Sequence, residues 1–229
     1  MSDLLFPAAA TMTLPVEGGG RYPVRRIFCV GRNYVEHAKE MGGEVDREAP
    51  FYFTKSACHL AQSGSVVPFP PGTSDFHHEM ELVVALGAEA DRLPLARAME
   101  VVFGYAAGLD MTRRDLQGAA KDKRRPWDTG KDFENSAVIA AIEPAGRFGG
   151  PGNQAITLAV NGTIRQSAHL SDMVWSVPEI IAHLSTLYRL GPGDLIMTGT
   201  PAGVGAVVAG DRIDGHIDGL PPVSLEISG

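Results

Sequence analysis

The sequence predicts a β-rich α+β domain, and three observations carry that expectation. Its 229 residues include 27 glycines and 16 prolines, well above the ~12% these two make up in an average chain, which implies many turns between short strands. Apolar runs with the two-residue period of strands outnumber those with a helical period. Helices and strands also fail to alternate regularly, which argues against a doubly wound parallel sheet. At ~150 residues per domain, the length fits one domain, or one with an appendage.

Residues 1–24 are low in charge, rich in Ala and Pro, and end in Gly18-Gly19-Gly20. They read as an N-terminal arm laid over the body. Residues 25–229 contain no linker and no repeat, and read as a single domain. Arg26–Gly31 (RIFCVG) is a short buried strand. Asn33, with Glu36 three residues on, reads as the cap and third-position partner of a brief helix reaching about Met41. Glu79–Leu86 (EMELVVAL) opens with strict alternation and runs into β-branched residues, a strand pattern. Leu95–Val102 is helical in pattern and feeds an apolar strand, Phe103–Leu109. Thr112, with Asp115 three residues on, opens another helix, which Pro126 ends. Ile156–Val160 and Thr163–Ser167 flank Asn161-Gly162, a strong short hairpin signature. Ser176-Val177-Pro178-Glu179 is a capping box with proline in the first turn, and its helix runs to about Arg189, where Gly191-Pro192 stops it. Strands over Asp194–Thr198, Asp211–His216 and Val223–Ile227 complete the chain.

Composition excludes several classes. The net charge of −7 leaves no sequence-independent grip on nucleic acid or on anionic membranes. The two cysteines, Cys29 and Cys58, cannot build a disulfide framework, and no CxxC is present; a reducing compartment is expected. The N-terminal MSDLLFPAAATMTLP lacks a basic start and is interrupted by Pro7, unlike a signal peptide. No apolar run reaches the ~18 residues of a membrane-spanning helix. The expectation is a cytoplasmic protein.

Chemistry concentrates at a few places. On a strand, Glu79 and Glu81 of His77-His78-Glu79-Met80-Glu81 face the same way, Cα atoms roughly 7 Å apart, while Met80 and Leu82 face the other. Neighbouring carboxylates at the start of an apolar strand repel each other unless protonated or bridged by a cation. A third carboxylate, Asp110, ends another apolar strand (GYAAGLD). Three carboxylates with no thiolate suit an oxygen-loving Mg²⁺ or Mn²⁺ with positions left for substrate and water; the alternative is a solvated strand face beside a turn. His37 and Glu40 are three apart on a helix and share a face. A carboxylate accepting one imidazole N–H makes the other nitrogen a better base, whereas on an exposed helix both would merely be solvated. Lys131 sits between Trp127 and Phe133, where burial demands an anionic partner such as a substrate carboxylate or enolate; otherwise it is a surface lysine. The amides of Gly199-Thr200-Pro201-Ala202-Gly203-Val204-Gly205 could hold an anion. GxGxxG, GK[ST], GxSxG and HExxH are all absent, which disfavours nucleotide binding and two common hydrolase mechanisms. Arg113 and Arg114 lie near Asp110, and a guanidinium clamps a carboxylate well.

In order along the chain, CVGRNYVEHAKEM, HHEMELVVALG, GYAAGLDMTRRDLQ, PWDTGKDF, LAVNGTIRQ and GDLIMTGTPAGVG resemble the fumarylacetoacetate hydrolase family, and most nearly its short acylpyruvate hydrolases. The resemblance spans about Arg25 to the C-terminus. It implies a mixed β-sandwich roll with a few peripheral helices, usually a homodimer. It also implies Mg²⁺ or Mn²⁺ on Glu79, Glu81 and Asp110, a His37–Glu40 pair on a lid helix, and Lys131 facing the substrate. Arg32, Arg114, Gln117 and Thr200 match positions that contact the acid, a small dicarboxylic oxo acid of aromatic-ring catabolism by the gentisate route. The chain departs from its relatives at Thr54-Lys55-Ser56, where Lys-Pro is usual, which puts that loop's shape and the role of Lys55 in question. The activity implied is metal-dependent hydrolysis of a carbon–carbon bond in a 2,4-dioxo acid. Its rivals are oxaloacetate-type decarboxylation or oxo-acid tautomerisation on the same site, and, from another class, a non-catalytic ligand-binding module.

Overall fold

In the computed structural model, which describes residues 5–40, 42 and 47–229, two curled sheets dominate and the helices are peripheral. An eight-stranded mixed sheet runs in the order Phe51–Lys55, Arg26–Gly31, Asp194–Met197, Met80–Leu86, Val102–Asp110, Ala137–Ile139, Leu60–Gln62, with Glu143–Pro144 also paired to Val102–Asp110. A five-stranded sheet runs Thr163–His169, Ala155–Val160, Arg212–Ile217, Val223–Ser228, Ser65–Pro68. A small three-stranded sheet joins Thr112–Arg113, Phe76–His78 and Gly205–Val207. The β-rich α+β class and the family's roll describe this architecture.

The large sheet is covered on both faces, so its central strands read as continuous apolar runs. Every residue of Met80–Leu86 is buried. Met80, Leu82, Val84 and Leu86 pack with Leu109, the five-stranded sheet and the Val177–Leu187 helix. Val83 and Ala85 face the other way, against Leu14, Tyr22, Ile27, Cys29 and Ala106. Glu81 and Asp110 share the parity of this second, smaller core, so the carboxylates sit where its apolar packing ends.

Residues 13–23 form a small hairpin that buries Leu14 and Tyr22 in that second core. The Tyr22 hydroxyl donates to the Leu86 carbonyl at 2.7 Å and accepts from the Gly193 amide at 3.0 Å. Residues 1–4 of the expected arm, and Met41 at the expected helix end, lie outside the described residues.

Local signals placed several elements well. The Arg26–Gly31 strand has the expected bounds, and the Asn161-Gly162 turn, with φ of 50° and 75°, joins strands over Ala155–Val160 and Thr163–His169. The Ser176–Glu179 capping box closes at the start of the Val177–Leu187 helix. Two expected caps are corrections. Asn33 does not cap the Val35–Glu40 helix: its side chain donates to the Trp175 and Thr198 carbonyls at 2.9 and 2.8 Å and accepts from the Trp175 amide at 2.7 Å. Thr112 lies in a short strand, its hydroxyl donating to the Asp110 carbonyl and accepting from Lys131, and the helix begins only at Arg114. The expected helix before Val102 is a 3₁₀ segment, Leu95–Val101.

Asp194, at the start of the central Asp194–Met197 strand, is fully buried and accepts from Arg25 and Arg26, with closest contacts of 2.7 Å to each. Burial alone would raise its carboxyl; the bonds from Arg26 and Arg25 outweigh this and hold it below the usual range. A depressed acid contributes stability above its unfolded pKa and loses it as pH falls through the folded value. Asp194→Asn is therefore expected to cost about 1.5–3 kcal/mol at pH 7, a difference that shrinks as the pH falls below the usual carboxyl range and through the depressed folded value, in urea titrations at pH 7 and at a series of acidic pH values.

Candidate active site

The pairing of Met80–Leu86 with Val102–Asp110 brings the carboxylates together. Glu81 lies opposite Gly108 in the ladder, and the Asp110 amide donates to the Glu79 carbonyl at 2.9 Å. One oxygen from each of Glu79, Glu81 and Asp110 lies within 4.8 Å of the others, and all three residues are buried.

Their counter-charges are unequally shared. Glu79 takes the Lys131 ammonium at 2.8 Å and the Arg114 guanidinium at 2.5 Å. Asp110 takes Lys131 on one oxygen at 2.7 Å; its other oxygen stands 2.8 Å from the Lys55 ammonium without the alignment of a hydrogen bond. Glu81 has no cation partner among the described residues; the amide of Gly199 donates to it at 2.8 Å. Burial would raise the Glu79 carboxyl, yet Lys131 and Arg114 hold it well below the usual range. Burial, with Asp110 and Glu79 alongside, pushes Glu81 well up. Burial works against the charge of Lys131 too, but Asp110 and Glu79 more than compensate and raise it. A buried carboxylate facing two others, with one amide for support, is a ligand set for a hard divalent cation. The donors present fit Mg²⁺ or Mn²⁺.

Lys131 is thus buried, as its aromatic neighbours suggested, and its anionic partners are the protein's own Glu79 and Asp110, supplemented by the Thr112 hydroxyl at 2.7 Å. Close approach puts it there: a Cβ on Gly130 would stand 2.7 Å from the Gln117 backbone nitrogen, so only glycine lets this loop press onto the Arg114–Asp122 helix. The glycine loop after Met197 likewise serves carboxylates of the chain itself. Gly199, at φ +95°, binds Glu81, and the Gly203 amide donates to Glu40 at 3.2 Å.

His37 is buried rather than solvated. Its Nδ1 is 3.3 Å from Glu40 Oε2, and its Nε2 has no partner among the described residues. A cleft is lined by His37, Arg32, Arg114, Gln117, Lys131, Thr200 and the three carboxylates, with Phe53 and Trp127 as aromatic walls. Gln117 accepts from Arg114 at 2.6 Å, and the Thr200 hydroxyl accepts from Gln166 at 2.8 Å. Glu40 stands behind His37 and does not line the cleft.

Sequence reasoning did not place Lys55, which ends the Phe51–Lys55 strand fully buried and also donates to the Lys131 carbonyl. Nor did it find the clamp beside it. The Asp132 carboxylate accepts from the Ser56 amide and hydroxyl, both at 2.7 Å, and lies 2.6 Å from His59 Nδ1. The clamp joins the residues following the two lysines, and a proline at 56 could supply neither Ser56 bond. Ser56 has φ −68°, which proline accepts, so Ser56→Pro tests the bonds and not strain. Ser56→Ala keeps the amide bond and is expected to cost about 1.5–3 kcal/mol. Ser56→Pro should cost about 1 kcal/mol more, measured by chemical denaturation.

The curled sheets and the carboxylate cleft define a family: residues 26–228 match the fumarylacetoacetate (FAA) hydrolase C-terminal model, and the chain belongs to the fumarylacetoacetate hydrolase family. It is 54% identical over 190 residues to the fumarylpyruvate hydrolase of a Ralstonia species, covering 82% of this chain and 98% of the relative. Among solved structures it resembles the Pseudomonas aeruginosa fumarylpyruvate hydrolase in complex with Mn²⁺ and pyruvate, at 45% identity, TM-score 0.95 and 99% coverage of both chains. It is also 42% identical over 203 residues to the mitochondrial oxaloacetate tautomerase of Rattus norvegicus, covering 89% and 91%.

Proposed function

We propose that this protein is a metal-dependent acylpyruvate hydrolase that cleaves fumarylpyruvate to fumarate and pyruvate. The observation that carries the reading is the buried Glu79–Glu81–Asp110 triad opening into the same cleft as His37, which Glu40 backs from behind. Similarity to the Ralstonia and Pseudomonas fumarylpyruvate hydrolases supports the choice of substrate.

Glu79, Glu81 and Asp110 would hold Mg²⁺ or Mn²⁺, which supplies Lewis acidity toward the oxygens of an oxo acid. The chain's own residues do the rest. Glu40, steadied by the Gly203 amide, holds His37 Nδ1 so that Nε2 faces the cleft as a base. Nε2 takes a proton from water as its oxygen bonds to C4 of the 2,4-dioxo acid. The C3–C4 bond then breaks, C4 leaves as the new carboxylic acid, which gives up its proton to solvent, and the electron pair passes to C3 as the pyruvate enolate. Lys131 and Arg114 offset that developing charge in a site screened from bulk water. His37 returns its proton to C3, giving pyruvate. Gln117 and Thr200 orient the acid. Family membership is the ground for expecting a homodimer, which light scattering of the purified protein checks.

The test follows fumarylpyruvate absorbance with Mg²⁺, with Mn²⁺ and with EDTA, and identifies the products. Stoichiometric fumarate and pyruvate, lost with EDTA, is the expected result. The similarity to an oxaloacetate tautomerase carries a second reading, in which a proton moves on the oxo acid and no bond to C4 is made. Oxaloacetate whose enol and keto forms interconvert faster with enzyme, while fumarylpyruvate stays intact, would favour that reading.

A further inference from the structure

Most cations around the cleft are committed. Lys55 faces Asp110, Lys131 bridges Glu79 and Asp110, and Arg114 holds Glu79 and Gln117. Lys121, also on the wall, has a partner of its own. Arg32 differs. It lines the cleft with its residue exposed, and among the described residues its guanidinium makes no hydrogen bond or ion pair.

Its backbone is unusual as well. Arg32 has φ 58°, the left-handed region that costs a residue with a Cβ and that glycine enters freely. The next residue enforces it: buried Asn33 ties this turn to Trp175 and Thr198 through three hydrogen bonds. A long cationic side chain thus occupies a position where glycine would be cheaper, on the exposed wall of the cleft that holds the carboxylate triad and His37. A free guanidinium in the same cleft as the aromatic walls Phe53 and Trp127 suits a carboxylate at the end of a planar, conjugated acyl chain, which a guanidinium can bind in bidentate fashion.

We propose that Arg32 binds the carboxylate at the far end of a dicarboxylic acylpyruvate, and so selects dianionic over monoanionic substrates. This rests on the hydrolase reading above, which names the reaction but not the group that reads the distal charge.

The experiment compares fumarylpyruvate with acetylpyruvate, which has the same oxo-acid head and a methyl group in place of the carboxyvinyl arm. Arg32→Met keeps a Cβ and therefore the same backbone cost, and Arg32→Lys restores a charge without the fork. The fumarylpyruvate-to-acetylpyruvate ratio of kcat/KM is expected to fall about 10- to 100-fold in Arg32→Met, the loss of a charge-assisted bond, chiefly through KM, with Arg32→Lys intermediate. Calorimetric binding of fumarate should weaken by a similar factor. An unchanged ratio, or unchanged fumarate affinity, would overturn the proposal. Hydrolysis of neither substrate by the wild-type protein would instead remove the hydrolase reading, and this proposal with it.

Discussion

Replacing Glu81 by glutamine is expected to stabilise the protein in EDTA while removing its divalent-ion affinity. The two effects have one cause. Glu81 is buried beside Glu79 and Asp110 with no cation partner among the described residues, so its charge is opposed by its neighbours. Glutamine has nearly the same shape, its amide oxygen still accepts the Gly199 N–H, and it carries no charge to repel. Thermal melts in EDTA should shift up by about 2–4 °C, the change that ~1 kcal/mol produces in a chain of this size. Mn²⁺ affinity, read from the free-ion electron paramagnetic resonance signal, should fall at least ~100-fold, because a first-layer oxygen ligand is lost. Turnover at ordinary Mn²⁺ concentrations should vanish. A variant that melts lower in EDTA yet binds Mn²⁺ as before would reverse both signs.

His37→Ala is the second large effect, and it separates chemistry from ion binding. His37 pairs with Glu40 and not with the triad, so Mn²⁺ affinity should stay within about threefold of wild type. The hydrolytic kcat should fall by about 10²–10⁴, the range contributed by a positioned general base. Glu40→Gln leaves an amide oxygen that can still accept from His37 Nδ1, but withdraws the negative charge, so a smaller loss is expected. Single-turnover kinetics with saturating Mn²⁺ distinguishes these losses from any weakening of substrate binding.

What could be read from sequence divides along a physical line. Elements set by local energetics were legible: the apolar Arg26–Gly31 strand, the Asn161-Gly162 hairpin, and the Ser176–Glu179 capping box. The carboxylate triad was legible in part, because strand parity places Glu79 with Glu81 and only the ladder brings Asp110 across. The caps were misread because Asn and Thr bond whatever backbone lies nearest, and tertiary partners won: Trp175 and Thr198 for Asn33, Lys131 for Thr112. Short strands such as Leu60–Gln62 and Ala137–Ile139 pair in parallel with each other across a long stretch of chain, and their few residues carry no period of their own. The Ser56–His59–Asp132 clamp and the buried Lys55 stayed hidden for the same reason. Each side chain is ordinary, and only the meeting of two distant turns gives it a partner.

The anomalous X-ray signal of Mn²⁺ in crystals grown with the ion is the most direct measurement of whether three distant acids make one metal centre. The expected map has one strong peak per chain, in contact with carboxylate oxygens of Glu79, Glu81 and Asp110. A protein that cleaves fumarylpyruvate while its Mn²⁺ peak lies away from these three side chains, or while no peak forms at all, would contradict the account.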